Sequence, residues 1–146
     1  MEFHSTIRID APADRVWATV IDLSKLIARA PGVVAVEPAD VVPVQGASVT
    51  VTVEQGGRRV RVPATLRTMT PPSRLVIDAE LPEPIGAPGE ATLVLTPAGT
   101  ATDVQLGVTV KLGMLKEMAA KAIVGARGQA ALDEALAGLK RQVEGA

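Results

Sequence analysis

The stretch VTVEQGGRRVRV, residues 51–62, restricts the fold more than any other part of the chain. Valines alternate with polar residues on both sides of Gly56-Gly57, and two adjacent glycines supply the positive φ angles of a two-residue hairpin turn. The turn predicts a register with Val53 opposite Val60, Val51 opposite Val62 and Glu54 opposite Arg59. One face is then all valine while the other pairs opposite charges, which describes an antiparallel pair with one buried side.

The rest of the chain falls into place around that pair. Phe3, Ser5, Ile7 and Ile9 alternate with His4, Thr6, Arg8 and Asp10, the period of a half-buried strand. Ala11-Pro12 breaks it. Pro12 suits the first position of a helix, Asp14 faces that helix's positive end, and Val16, Trp17 and Val20 form its apolar stripe. Ser24 is expected to cap a second short helix through Leu26 and Ile27, ended by Pro31-Gly32. Alternation returns from Val33. TPPS (70–73) turns the chain into RLVIDAEL, with Leu75, Ile77, Ala79 and Leu81 inward, and PEPIGAPG (82–89) reads as a loop. EATLVLTP and TDVQLGVTV form a further hairpin around Ala98-Gly99. Pro63, inside a strand pattern, predicts an edge or a bulge.

From Gly113 the period lengthens to that of a helix, with Leu115, Met118, Ala122, Gly125, Gln129, Leu132, Leu136, Leu139 and Val143 spaced by three and four. No repeat or linker interrupts the pattern, so one domain over residues 1–146 is expected. The fold class is α+β: a curved, seven-stranded antiparallel sheet wraps a long C-terminal helix, and two short helices after the first strand close one end.

Two stretches carry a family resemblance. STIRIDAPADRVWATVID (5–22), followed by PGVVAVE (31–37), resembles the opening of the START-like, or Bet v 1-like, SRPBCC superfamily of polyketide cyclase/dehydrase type. The resemblance implies a helix-grip fold with a cavity between sheet and C-terminal helix, and it implies that Trp17 plugs one end of that cavity.

By alternation, Val51, Val62, Leu66, Ile77, Leu93 and Leu106 line the cavity from the sheet, and Met118, Ala122 and Gly125 line it from the helix. A glycine inside a helix costs about 1 kcal/mol relative to alanine, so Gly125 and Gly128 predict either room for a ligand or close helix-on-sheet packing. Ser5 and Gln129 are the polar residues set inward, and the Gln129 amide both donates and accepts. The predicted binding set is therefore these residues with Trp17, serving a mostly apolar ligand oriented by few polar groups.

Composition removes other chemistries. The chain has one Trp, one Phe, one His, no Tyr and no Cys, and a net charge of -1. That leaves no thiol nucleophile, no disulfide, and no zinc site of His and Cys. His4 falls on the outward face and reads as a solvated side chain, so no Ser-His-Asp triad forms. Asp78 and Glu80 also share an outward face. Arg59, Arg61 and Arg67 point outward without interleaved aromatics, unlike a nucleic-acid stripe. GARG (125–128) lacks the Lys-Ser/Thr of a phosphate loop. Lys111, Lys116 and Lys121 near the helix start read as a solvated face, with an acidic ligand head or partner as the alternative. No cofactor, nucleic acid or membrane span is expected, and without a signal-like segment the expected location is the cytoplasm.

Two functions fit these residues. The first is binding or carrying a hydrophobic small molecule (a lipid, quinone or polyketide-like compound). The alternative is a polyketide cyclase or dehydratase that acts mainly by orienting its substrate. The resemblance implies polar groups such as Arg or Tyr inside the pockets of such enzymes, and the pattern shows no inward Arg here. A weaker third is an accessory factor similar to the superfamily branch associated with carbon monoxide dehydrogenase, which shares the Val-Trp and Pro-Gly opening.

Overall fold

The structure, a computed structural model, describes residues 1–30, 32–82 and 85–145; at 27, 55 and 119–124 it describes the backbone alone. Strand β1 (Glu2–Ile9) leads into α1 (Ala13–Val20), a single 3-10 turn (Leu23–Lys25) and the four-residue α2 (Leu26–Arg29). Six strands follow: β2 (Val33–Glu37), β3 (Ser48–Gln55), β4 (Arg58–Thr70), β5 (Arg74–Leu81), β6 (Ala87–Ala98) and β7 (Ala101–Val110). Helix α3 (Met114–Glu144) ends the chain. The strands form one antiparallel sheet in the order β1-β7-β6-β5-β4-β3-β2, so β1 and β2 are its edges. This is the seven-stranded helix-grip architecture that the sequence predicts.

The β3–β4 hairpin has the predicted register: Val53 pairs with Val60, Val51 with Val62 and Glu54 with Arg59. Gly56 and Gly57 take φ of 55° and 80°, the region L side chains avoid. The second hairpin turns one residue later than expected. Ala98 pairs with Ala101, which places Gly99-Thr100 in the turn. Of those two only Gly99 has positive φ (65°), and a two-residue turn with one such residue takes glycine first.

Two prolines sit within strands for the same reason. Pro63 pairs with Thr50 on β3, while the ladder to β5 begins only at Ala64. On the β5 side Pro63 is therefore at an edge, as a strand proline requires. Pro88 pairs with Glu80 on β5, and the β7 ladder begins at Gly89. Residues 87–89 of the expected loop thus belong to β6; residues 83 and 84 lie outside those described.

Local capping departs from expectation near the short helices. Pro12 is the cap of α1 rather than its first helical residue. Ser24 caps nothing: it lies within the 3-10 turn, where its hydroxyl donates to Asp22 Oδ1 at 2.5 Å. Its reach is spent on the residue two back, so α2 starts from Lys25 without a side-chain cap.

Helix α3 packs against β1, β7, α1 and α2. Its buried face comes from its C-terminal half, where Leu136, Leu139 and Val143 are 1–3% exposed. They join Ile9, Val16, Trp17, Leu66, Leu95 and Val104 in the main core. A second cluster of Met1, Ala87 and Val110 with Phe3 and Leu112 closes the other end of β1 and β7. The helical stripe read from the sequence does not stay buried along its whole length. Leu115 and Met118 are 84% and 67% exposed, because the first turns of α3 run beyond the face that the core covers.

Candidate functional site

Between the concave side of the sheet and α3 lies a cavity of about 150 Å³. Leu75 and Ile77 of β5, Ala91 and Leu93 of β6 and Leu106 of β7 form its floor. Ala135, Leu136 and Leu139 of α3 form its roof, and Val20, Leu23, Leu26 and Arg29 from the short helices form its end wall. Each of these lining side chains is aliphatic except Arg29. The floor follows from register: Leu75 pairs with Leu93, Leu93 with Leu106 and Ile77 with Ala91, so one row of inward residues crosses three strands. An apolar cavity of this size can hold a molecule as large as benzene.

Ile77, Leu93 and Leu106 of the predicted set line this cavity. The other described side chains of the set are not in its lining. Trp17 and Leu66, 5% and 2% exposed, do not line it; they are buried in the same core cluster as its Leu75, Leu93, Leu136 and Leu139. Val51 and Val62 occupy the β3–β4 hairpin away from the lining, since β5 to β7 form the floor. Met118 is exposed, and the side chain of Ala122 lies outside those described. A Cβ at Gly125 would meet nothing within 4 Å, whereas at Gly128 it would sit 2.7 Å from the Phe3 ring. Close packing therefore explains Gly128.

Neither inward polar residue reaches the cavity. Gln129 Nε2 donates to the His4 carbonyl at 2.7 Å and to Asp133 Oδ1 at 3.1 Å. The Ser5 hydroxyl donates to the same Asp133 oxygen at 2.5 Å. These groups tie α3 to the backbone of edge strand β1 and satisfy one another.

The residue that sequence reasoning missed is Arg29. It is half-buried, and its guanidinium spans two elements. Nη1 donates to the Thr19 carbonyl (3.3 Å) and Gln142 Oε1 (3.0 Å), and Nη2 donates to the Val20 carbonyl (3.1 Å). Thr19 and Val20 end α1, where carbonyls lack helical partners and the dipole favours a cation. Burial pulls the guanidinium pKa down to about 10, against a weaker opposing pull from Asp22. A signal did exist at Gly138, inside the α3 pattern. A Cβ there would lie 2.8 Å from Arg29 Cβ and 3.0 Å from its Cα, so only glycine lets α2 approach this closely.

The sheet exterior carries charge, as expected. Arg67 reaches Asp78 at 3.4 Å and Glu90 at 2.8 Å, Arg61 reaches Glu37 at 3.5 Å, and His4 is solvated. A larger hollow of about 320 Å³ opens where β4 parts from β5 at Pro63. Its walls include Glu37, Asp78 and Glu80, and it lacks the apolar floor of the inner cavity. Among the described residues no group of acidic or histidine side chains could hold a metal ion. No helix described is long and apolar enough to cross a membrane.

Comparison with known proteins agrees with this geometry. Residues 1–144 match the family described as polyketide cyclase / dehydrase and lipid transport. The chain belongs to that family. Its fold is shared by a protein from Thermus thermophilus at 24% identity, TM-score 0.74, covering 99% of this chain and 98% of that one. Ara h 8.0201 matches at 12% identity and TM-score 0.69, covering 100% and 99%. The di-domain ARO/CYC BexL of the BE-7585A biosynthetic pathway matches at 20% identity and TM-score 0.73, with 99% of this chain spanning 46% of that protein. These likenesses establish the Bet v 1-like fold. No protein of curated function matches the sequence.

Proposed function

We propose that this family member binds a hydrophobic small molecule in the cavity between sheet and α3, as a carrier or binding protein. The supporting observation is the aliphatic floor of Leu75, Ile77, Ala91, Leu93 and Leu106 facing Ala135, Leu136 and Leu139 across open space. Leaving such a space unfilled removes packing contacts that a solid core would make, and an apolar ligand restores them. Saturable binding of an apolar fluorescent dye by the fully folded protein is the expected result. A folded protein that binds neither dyes nor lipids, and shows no co-purified molecule in native mass spectrometry, contradicts the proposal.

Arg29 favours a second reading, a cyclase or dehydratase. Its side chain lies at the wall of the cavity and carries N–H donors able to orient an oxygen-bearing chain. Among the described residues no histidine or carboxylate lines the space, so any acceleration would come from holding the substrate in a reactive conformation. Turnover of a polyketide-type substrate separates this reading from simple carriage.

A further inference from the structure

We infer that the cavity takes a small carboxylic acid, its carboxylate received by Arg29 and its hydrocarbon part lying on Ile77, Leu93 and Leu106. This rests on the ligand-binding reading above and adds the ligand's chemical class. Three observations lead to it.

The first is the wall itself: among the described lining residues, Arg29 is the one that carries a charge. The second is the state of that charge. The guanidinium bonds to two backbone carbonyls and one amide oxygen, all neutral. Among the described residues no carboxylate bonds to it; Asp22, which accepts the Ser24 hydroxyl, acts on Arg29 only through its field. Two of the five guanidinium N–H groups, Nε–H and one on Nη2, have no protein acceptor among the described residues. A half-buried cation with spare donors and no carboxylate bonded to it gains most from an anion, and a carboxylate matches the guanidinium fork. The third is position. Gly138 seats the Arg29 backbone on α3, and the bonds to Thr19, Val20 and Gln142 hold the head group, so little ordering remains when a ligand arrives. The cavity volume of about 150 Å³ limits the hydrocarbon part to a short chain or a single ring.

Calorimetric titration of the full chain with hexanoate, 1-hexanol and hexylamine at neutral pH tests the inference. Hexanoate is expected to bind at least about tenfold more tightly than hexanol, with hexylammonium weakest. Arg29→Met should reduce hexanoate to the affinity of hexanol and leave hexanol unchanged. Ala135→Leu, which fills the roof without touching the guanidinium, should abolish hexanoate binding. Hexanol equal to or tighter than hexanoate in the natural protein overturns the inference while the hydrophobic-ligand reading stands. Hexanoate binding that survives Ala135→Leu also overturns it, because the anion then sits outside the cavity. Binding of none of the three defeats both. The comparison of ligands in the natural protein decides the matter even where Arg29→Met fails to fold.

Discussion

At the scale of single residues, glycine and glutamine in α3 mark where the helix touches its neighbours. Gly138 faces the backbone of Arg29, which cannot move aside as a side-chain tip can. Gly138→Ala improves helix propensity by about 1 kcal/mol, yet the clash should outweigh it and leave the protein about 1–3 kcal/mol less stable. Urea denaturation checks this, and an unchanged or raised midpoint would remove the close approach of α2. Gln129 illustrates the opposite lesson. Periodicity correctly placed it toward the sheet, but its amide is taken by the His4 carbonyl and Asp133. Gln129→Leu should cost about 1 kcal/mol and leave ligand affinity unaltered; a selective loss of affinity would return Gln129 to the site. Arg29 escaped the pattern because a four-residue helix has too few turns to show a face. Its role depends on carbonyls at the end of α1, which sequence does not display.

At the scale of elements, the strands were legible wherever turn chemistry and alternation agreed. Gly56-Gly57 specified the β3–β4 register, and one residue inserted there should turn a valine row of the hairpin to solvent and lower the melting temperature. An unchanged melting temperature would mean that the pair tolerates a slip. The start of β6 was hidden because Pro88 and Gly89 read as loop residues, although on the β7 side Pro88 uses only its carbonyl, which accepts the Lys111 N–H at 3.1 Å. Helix α3 misled in another way: its apolar period continues through Leu115 and Met118, beyond the surface available to cover them. Its far end is held by Glu144, which accepts the Asp10 amide at 2.9 Å and pairs with Lys140 at 2.5 Å. The Asp10 N–H, then Lys140, hold the Glu144 carboxyl below the usual carboxylate range. A carboxylate with a depressed pKa stabilises the fold fully above its unfolded value, about 4.3, and this contribution disappears as pH falls through the lower folded value. Hydrogen-exchange protection factors at the end of α3, which remove the intrinsic pH dependence of exchange, should therefore fall below about pH 4. In Glu144→Gln that acid-induced step should shrink, and a step of undiminished size would assign the acid sensitivity elsewhere.

At the scale of the whole molecule, a sheet of seven strands and one long helix enclose more space than the chain's few large side chains fill. The chain has one tryptophan and one phenylalanine, and neither lines the cavity: Trp17 is buried in the main cluster and Phe3 packs on Gly128. The floor beneath Ala135 and Leu139 is left to aliphatic residues too short to meet across it. The family resemblance implied such a space. Alternation picked out Ile77, Leu93 and Leu106 of its lining but not the helix residues, because it tells which face a residue takes and not where along the groove the helix lies. The central claim is that this space accepts an apolar ligand. Methyl-resolved NMR during titration with toluene tests it most directly. The account predicts saturable shifts at Ile77, Leu93, Leu106 and Leu136, with the Val51 and Val62 methyls unmoved. Shifts confined to the exposed Leu115, Met114 and Met118, or no saturable shift at all, would contradict it.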